Sequence, residues 1–232
     1  HRYDKDALEA ILKDELGPDT TLGSDSLRTL LMIVLRNATT DSPWPVSNNP
    51  HALFNARDLP DCNLDLPLWQ VVRASTAAPV YFQPETITLG ERDFVFVDGG
   101  VTPFNNPAFQ LFTMATLDKY RLGWPTGEDA MLLVSVGTAN SAFARPSLET
   151  DDMHLLYHAT ATPGALMLSA AIQQDLLCRT LGRCRWGAPL DGEVGDLLDS
   201  RGLIDDRLFS YVRYDQPLST TALHDMGLGS IR

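Results

Sequence analysis

The chain predicts an α/β fold with a central, mostly parallel sheet flanked by helices, and three observations point to it. The run Phe94-Val95-Phe96-Val97 is short, continuous and wholly β-branched or aromatic, the pattern of a strand buried on both faces. It stops at Asp98-Gly99-Gly100 and leads into Asn105-Asn106-Pro107, a helix start, before a further apolar run at 131–136; strand, helix, strand in this order favours a parallel pair with a right-handed crossover. An amphipathic stretch near the start supplies a helix able to cover such a sheet.

In chain order, residues 4–16 place Ala7, Leu8, Ile11, Leu12 and Leu16 at helical spacing, with Asp4 as N-cap and Gly17-Pro18 as the stop. Leu30 to Leu35 reads as a buried strand, and 39–51, with Pro43, Pro45 and Asn48-Asn49-Pro50, as an irregular loop. Leu68, Trp69, Val71 and Val72 suggest a short helix running into Ala74-Ser75-Thr76-Ala77-Ala78-Pro79, where Pro79 blocks continuation. A turn at Gly90 precedes the Asp93–Val97 strand. Asn106 is placed to cap a helix with Pro107 in its first turn, continuing toward Tyr120. Residues 138–152 read as a connection, 164–181 as a helix, 208–214 as a strand and 220–228 as the beginning of another helix.

Composition narrows the function. The formal net charge of -12, from 30 acids against 18 bases, repels polyphosphate backbones and argues against a nucleic-acid partner. No apolar run approaches the ~20 residues that a membrane span needs. Cys62, Cys178 and Cys184 form neither an even disulfide framework nor a zinc pattern, so reduced, packed thiols are expected. No secretory leader precedes the first helix, which gives a cytoplasmic expectation.

The chemistry centres on Asp98. A carboxylate at the carboxyl end of a buried strand, on glycine-rich backbone and facing a helix start, suits a general base because partial burial raises its proton affinity. The plainer reading, an Asp-Gly turn, is weakened because no second strand follows Gly99 at once. Gly99, Gly100, Asn105 and Asn106 form the supporting loop, although the two asparagines serve equally well as turn and cap residues. No Gly-x-Ser-x-Gly elbow occurs to supply a nucleophile: Ser24 and Ser26 read as turn or cap residues and Ser135 lies within a strand. His154 and His158 share a helical spacing but lack the Glu and third ligand of a metal motif, so no metal or cofactor is expected.

Two blocks at this separation, Arg73-Ala74-Ser75-Thr76-Ala77-Ala78-Pro79-Val80-Tyr81-Phe82 and Asp98-Gly99-Gly100 with Asn105-Asn106-Pro107-Ala108, resemble patatin-like phospholipases, and the resemblance extends to Val134-Ser135-Val136-Gly137-Thr138. It is similar in particular to the bacterial members. The resemblance implies a single α/β domain of which residues 1–232 are part, with 1–140 as the sheet core bearing the aspartate and 141–232 as a helical and strand extension that includes a candidate lid. It implies a lipid acyl hydrolase using a Ser-Asp dyad without a catalytic histidine, the aspartate falling on Asp98. Phospholipid or another acyl ester is then the substrate, with transient contact to a membrane surface. The family's serine elbow and oxyanion loop precede everything matched here, which leaves two expectations: a portion of a longer protein, lacking the nucleophile and inactive alone, which is preferred, or a naturally reduced relative that no longer catalyses. Two other readings stand beside this one: a noncatalytic lipid- or protein-binding module, and a Ser-His-Asp hydrolase with His154, His158 or His224 as base.

Overall fold

The computed structural model describes residues 3–138, 155–216, 218 and 220–228. The chain divides into two compact units, His1–Trp124 and Pro125–Arg232.

The first unit opens with α1 (Lys5–Leu16). Asp4 caps it by accepting a hydrogen bond from the Asp6 N–H at 3.0 Å, and Gly17, at φ +84°, ends it while donating to the Lys13 carbonyl. Leu8, Leu12 and Leu16 are half-buried while Ala7 and Ile11 face solvent, so the covering stripe is narrower than the apolar spacing suggested. Four strands follow in the spatial order β2-β1-β4-β3: β1 (Met32–Asn37), β2 (Ser42–Ser47), β3 (Glu85–Leu89) and β4 (Arg92–Asp98). Every pairing in this sheet is antiparallel. Helix α2 (Leu68–Ser75) lies against β1, β3 and β4, and α3 (Ala108–Thr116) follows the β4 loop. The core joins Leu35, Val46, Val71, Ala74, Ile87 and Phe96, with Trp44 packed on Phe94 and Phe96 at ring separations of 5.3 and 5.2 Å.

The second unit carries β5 (Leu132–Val136), α4 (Leu155–Leu181), β6 (Arg183–Trp186), β7 (Ser210–Tyr214) and α5 (Thr220–Asp225). Its three strands form a parallel sheet, ordered β5-β7-β6, with α4 against β6 and β7. Two buried arginines pin its loops. Arg179 holds Asp175 by two hydrogen bonds, at 2.8 and 2.9 Å, and donates to the carbonyls of Ala188 and Asp196; Arg207 donates to those of Thr180, Gly182 and Ser200.

The α/β class and a parallel sheet with a helix packed on it match expectation, but four local readings need correction. Residues 42–47 are a strand, not part of an irregular loop. Pro43 and Pro45 are tolerated because β2 is an edge strand with only β1 beside it, so their missing N–H groups need not face a partner. The Phe94–Val97 run is not buried on both faces: Phe96 is buried, Phe94 and Val97 are half-buried and Val95 is exposed. The expected parallel pair between this strand and β5 does not form, because β4 pairs antiparallel with β1 and β3 while β5 pairs with β7. The helix after Pro107 stops at Thr116, and Asp118–Tyr120 is a separate 3-10 turn. The connection read at 138–152 lies, apart from Thr138, outside the described residues.

Candidate active site

Asp98 closes β4. Its backbone N–H donates to the Ala77 carbonyl at 3.1 Å, and its Oδ1 accepts from the Gly100 N–H at 2.6 Å, capping the 3-10 turn Gly99–Val101. No hydrogen bond to Oδ2 occurs among the described residues. Burial pushes the carboxyl above its ordinary value of 3.8, opposed in part by the Gly100 N–H, which favours the charged form. One oxygen is therefore anchored and the group's proton affinity is raised, which suits a base that must both hold position and accept a proton.

The backbone around it is closely fitted. Gly99 is buried against β1, where a Cβ would fall 2.1 Å from the Val34 carbonyl oxygen. That same oxygen accepts from Ser75 Oγ at 2.7 Å, so the end of α2 is tied to the strand beside Asp98. Thr102 then secures the turn, its N–H and Oγ1 both donating to the Gly99 carbonyl, at 3.0 and 2.6 Å. Asn106 is buried and its Oδ1 accepts from the Ala108 N–H at 3.3 Å, the start of α3, whereas Asn105 is exposed. The structure thus brings Gly99 and Gly100 against Asp98, whereas the cap position of α3 falls to Pro107, one residue later than expected, with Asn106 just before it.

Three contributors, Ser75, the Val34 carbonyl and Arg73, were not assigned a role from sequence. Ser75 and the Val34 carbonyl hold the strand end, and the one signal for it in the sequence is the run of small residues at the end of α2. Arg73 is fully buried, donates from Nη2 to the Gln83 carbonyl at 3.0 Å and lies 5.3 Å from the Phe82 ring centre, pinning the far side of the 77–83 loop.

Ser24 and Ser26 share a hydrogen bond in an exposed turn, and Ser135, buried in β5, accepts from Arg213 Nη1 at 2.7 Å. His154 lies outside the described residues, as does the side chain of His158. No cluster of three or more His, Cys, Asp or Glu side chains fit for a metal occurs among the described residues. No described helix is long and apolar enough to cross a membrane.

Comparison with known proteins bears on the segment that carries Asp98. Residues 1–112 match the patatin-like phospholipase family model. The match runs from α1 into α3 and encloses the aspartate turn. Among curated proteins, the chain is 30% identical over 145 residues to patatin-2-Kuras 4 of Solanum tuberosum, covering 57% of this chain and 37% of that protein. It is also 30% identical over 113 residues to an intracellular phospholipase A2 of Caenorhabditis elegans, covering 48% of this chain and 9% of that protein. The chain therefore spans well under two thirds of the length of either relative.

Proposed function

We propose that this chain carries the aspartate half of a Ser-Asp lipid acyl hydrolase of phospholipase A, lysophospholipase or esterase type. The observation that carries the reading is the half-buried Asp98 at the end of β4, with one oxygen held by Gly100 and its pKa raised, inside the span that matches the patatin-like phospholipase model. In this reading a serine from a segment outside residues 1–232 attacks the ester carbonyl while Asp98 takes the hydroxyl proton. Collapse of the tetrahedral intermediate expels the alcohol, which receives that proton, and water then releases the acyl group by the same route in reverse. Backbone amides of the absent segment hold the oxyanion. Gly99, Gly100, Asn105 and Asn106 keep the Asp98 loop in register, and residues 1–232 alone do not turn over. The substrate is a phospholipid or related acyl ester met at a lipid surface.

An alkyl fluorophosphonate, which labels activated serines covalently, tests this reading. The longer gene product should be labelled once, on a serine outside residues 1–232, with parallel loss of acyl ester hydrolysis, and residues 1–232 alone should stay unlabelled. Labelling of a serine within 1–232 would overturn the assignment.

A further inference from the structure

Resting on the acyl hydrolase reading above, we infer that Arg73 is a positioning residue for Asp98, its guanidinium clamping the loop whose Ala77 carbonyl holds the Asp98 backbone. Arg73 stands in the last turn of α2. Beyond the helix end, the Ala77 N–H donates to the Ala74 carbonyl at 3.2 Å and the Ala77 carbonyl accepts the Asp98 N–H at 3.1 Å. Ala77 is buried, so one limb of the 77–83 loop lies packed on the backbone of the candidate base. The other limb returns to Arg73, whose Nη2 donates to the Gln83 carbonyl at 3.0 Å and whose guanidinium carbon stands 5.3 Å from the Phe82 ring centre. A single side chain therefore closes the loop between the end of α2 and the entry to β3.

The way Arg73 is buried separates it from the arginines that only hold loops. Arg179 donates four hydrogen bonds and Arg207 three. Arg73 is fully buried, yet its Nε and Nη1 have no hydrogen-bond partner among the described residues. The buried carboxylate of Glu85, two residues beyond Gln83, is met instead by Lys5 at 3.0 Å and by Gln70 Nε2 at 3.1 Å. A buried cation with one hydrogen bond and one ring contact detracts from stability, because an apolar side chain of the same length fills the space without desolvating a charge. Such a cost, at a residue that braces the backbone of a candidate base, is explained by function rather than by folding.

The action is mechanical. Burial and the Gly100 N–H set the proton affinity of Asp98, so what Arg73 controls is where the carboxylate stands. If the clamp opens, the Ala77 carbonyl shifts and the end of β4 shifts with it. Misplacing a reacting group by about 1 Å costs on the order of 10²-fold in rate. Arg73 offers no surface to a substrate, so binding is left alone.

Steady-state hydrolysis of a soluble p-nitrophenyl acyl ester by the full-length protein, with thermal unfolding of the same samples, tests the inference. Arg73→Met removes the charge at similar length; it should lower kcat about 30- to 100-fold with KM within about twofold of wild type, while Tm stays level or rises. Arg73→Lys keeps a donor for Gln83 and a cation for the Phe82 ring, and its kcat should lie within about tenfold of wild type. In an Asp98→Asn background, Arg73→Met should lower turnover by less than about twofold further, because both changes act on the same group. The inference is overturned if Arg73→Met keeps the kcat of wild type, if its loss falls on KM, if it unfolds or loses Tm along with rate, or if its loss is undiminished beside Asp98→Asn. Wild-type turnover by Asp98→Asn alone would refute the acyl hydrolase reading itself, whereas wild-type turnover by Arg73→Met beside an inactive Asp98→Asn overturns only the role of Arg73.

Discussion

Replacing Gly99 with alanine tests how tightly the candidate base is built into the sheet. The new Cβ would lie 2.1 Å from the Val34 carbonyl oxygen and 2.6 Å from its carbon, and both are backbone atoms of β1 with no rotamer to escape into. Reaching the 3.4 Å of ordinary contact requires the Gly99 turn and β1 to part by about 1.3 Å. Overpacking of this kind costs ~1–3 kcal/mol. The same displacement breaks the Ser75 Oγ–Val34 hydrogen bond, worth about 1 kcal/mol more. A loss of about 3 kcal/mol, with a urea m-value of ~1–3 kcal/mol/M, lowers the unfolding midpoint by roughly 1–3 M. Tryptophan fluorescence follows the transition, since Trp44 is stacked within the same core. Gly123→Ala is the control, because nothing lies within 4 Å of its Cβ and only its φ of +59° opposes the change, a cost of about 1 kcal/mol. A midpoint shift for Gly99→Ala no larger than the control's would refute the close approach of Gly99 to β1.

Three further outcomes follow from burial and pairing. The Asp98 carboxyl has a raised folded pKa, so its contribution to stability is present below about pH 4 and is lost as pH rises through the folded value. Asp98→Asn should therefore be at least as stable as wild type near neutrality, with the advantage fading at acid pH; urea midpoints across a pH series measure it, and an advantage that grew on acidification would contradict the raised pKa. Burial pushes the Cys178 and Cys184 thiols upward, and Cys62 is buried as well, so all three should resist a disulfide-exchange reagent until the chain unfolds; rapid titration of the native protein would count against this packing. Arg179→Met leaves Asp175 buried without its partner and frees the carbonyls of Ala188 and Asp196. It should cost ~3–5 kcal/mol in calorimetric or urea unfolding, and a change under about 1 kcal/mol would show that Arg179 does not hold this loop.

The legible parts of the sequence were those with local, self-contained signals. Asp4 and Gly17 bracket α1 because capping groups act within a turn of where they stand. The Asp98-Gly99-Gly100 end of β4 could be read because an acid and two glycines after an apolar run mark a strand end wherever the strand pairs. What the run could not report was its neighbours. A continuous apolar strand looks the same in a parallel sheet and in an antiparallel sheet packed with aromatics, and here Phe94 and Phe96 owe their packing to Trp44 on β2. β2 was hidden by its prolines, whose cost vanishes only on an edge strand, a fact of topology rather than of composition. β3 carries an alternation, Glu85-Thr86-Ile87-Thr88-Leu89, with its outer and central residues buried, but no strand is read there from the sequence. The role of Gly99 divides in the same way. Its sequence context suggested a turn, while the need for glycine comes from Val34, more than sixty positions earlier in the chain.

The central claim is that Asp98 is the base of an acyl hydrolase, and the steady-state hydrolysis of a lipid acyl ester by the full-length protein carrying Asp98→Asn tests it most directly. The substitution keeps the size of the side chain and an oxygen for the Gly100 N–H while removing the ability to take a proton, so the account predicts a ~10²–10⁴-fold fall in kcat with unfolding behaviour preserved. Turnover close to that of wild type in a folded Asp98→Asn protein would contradict it.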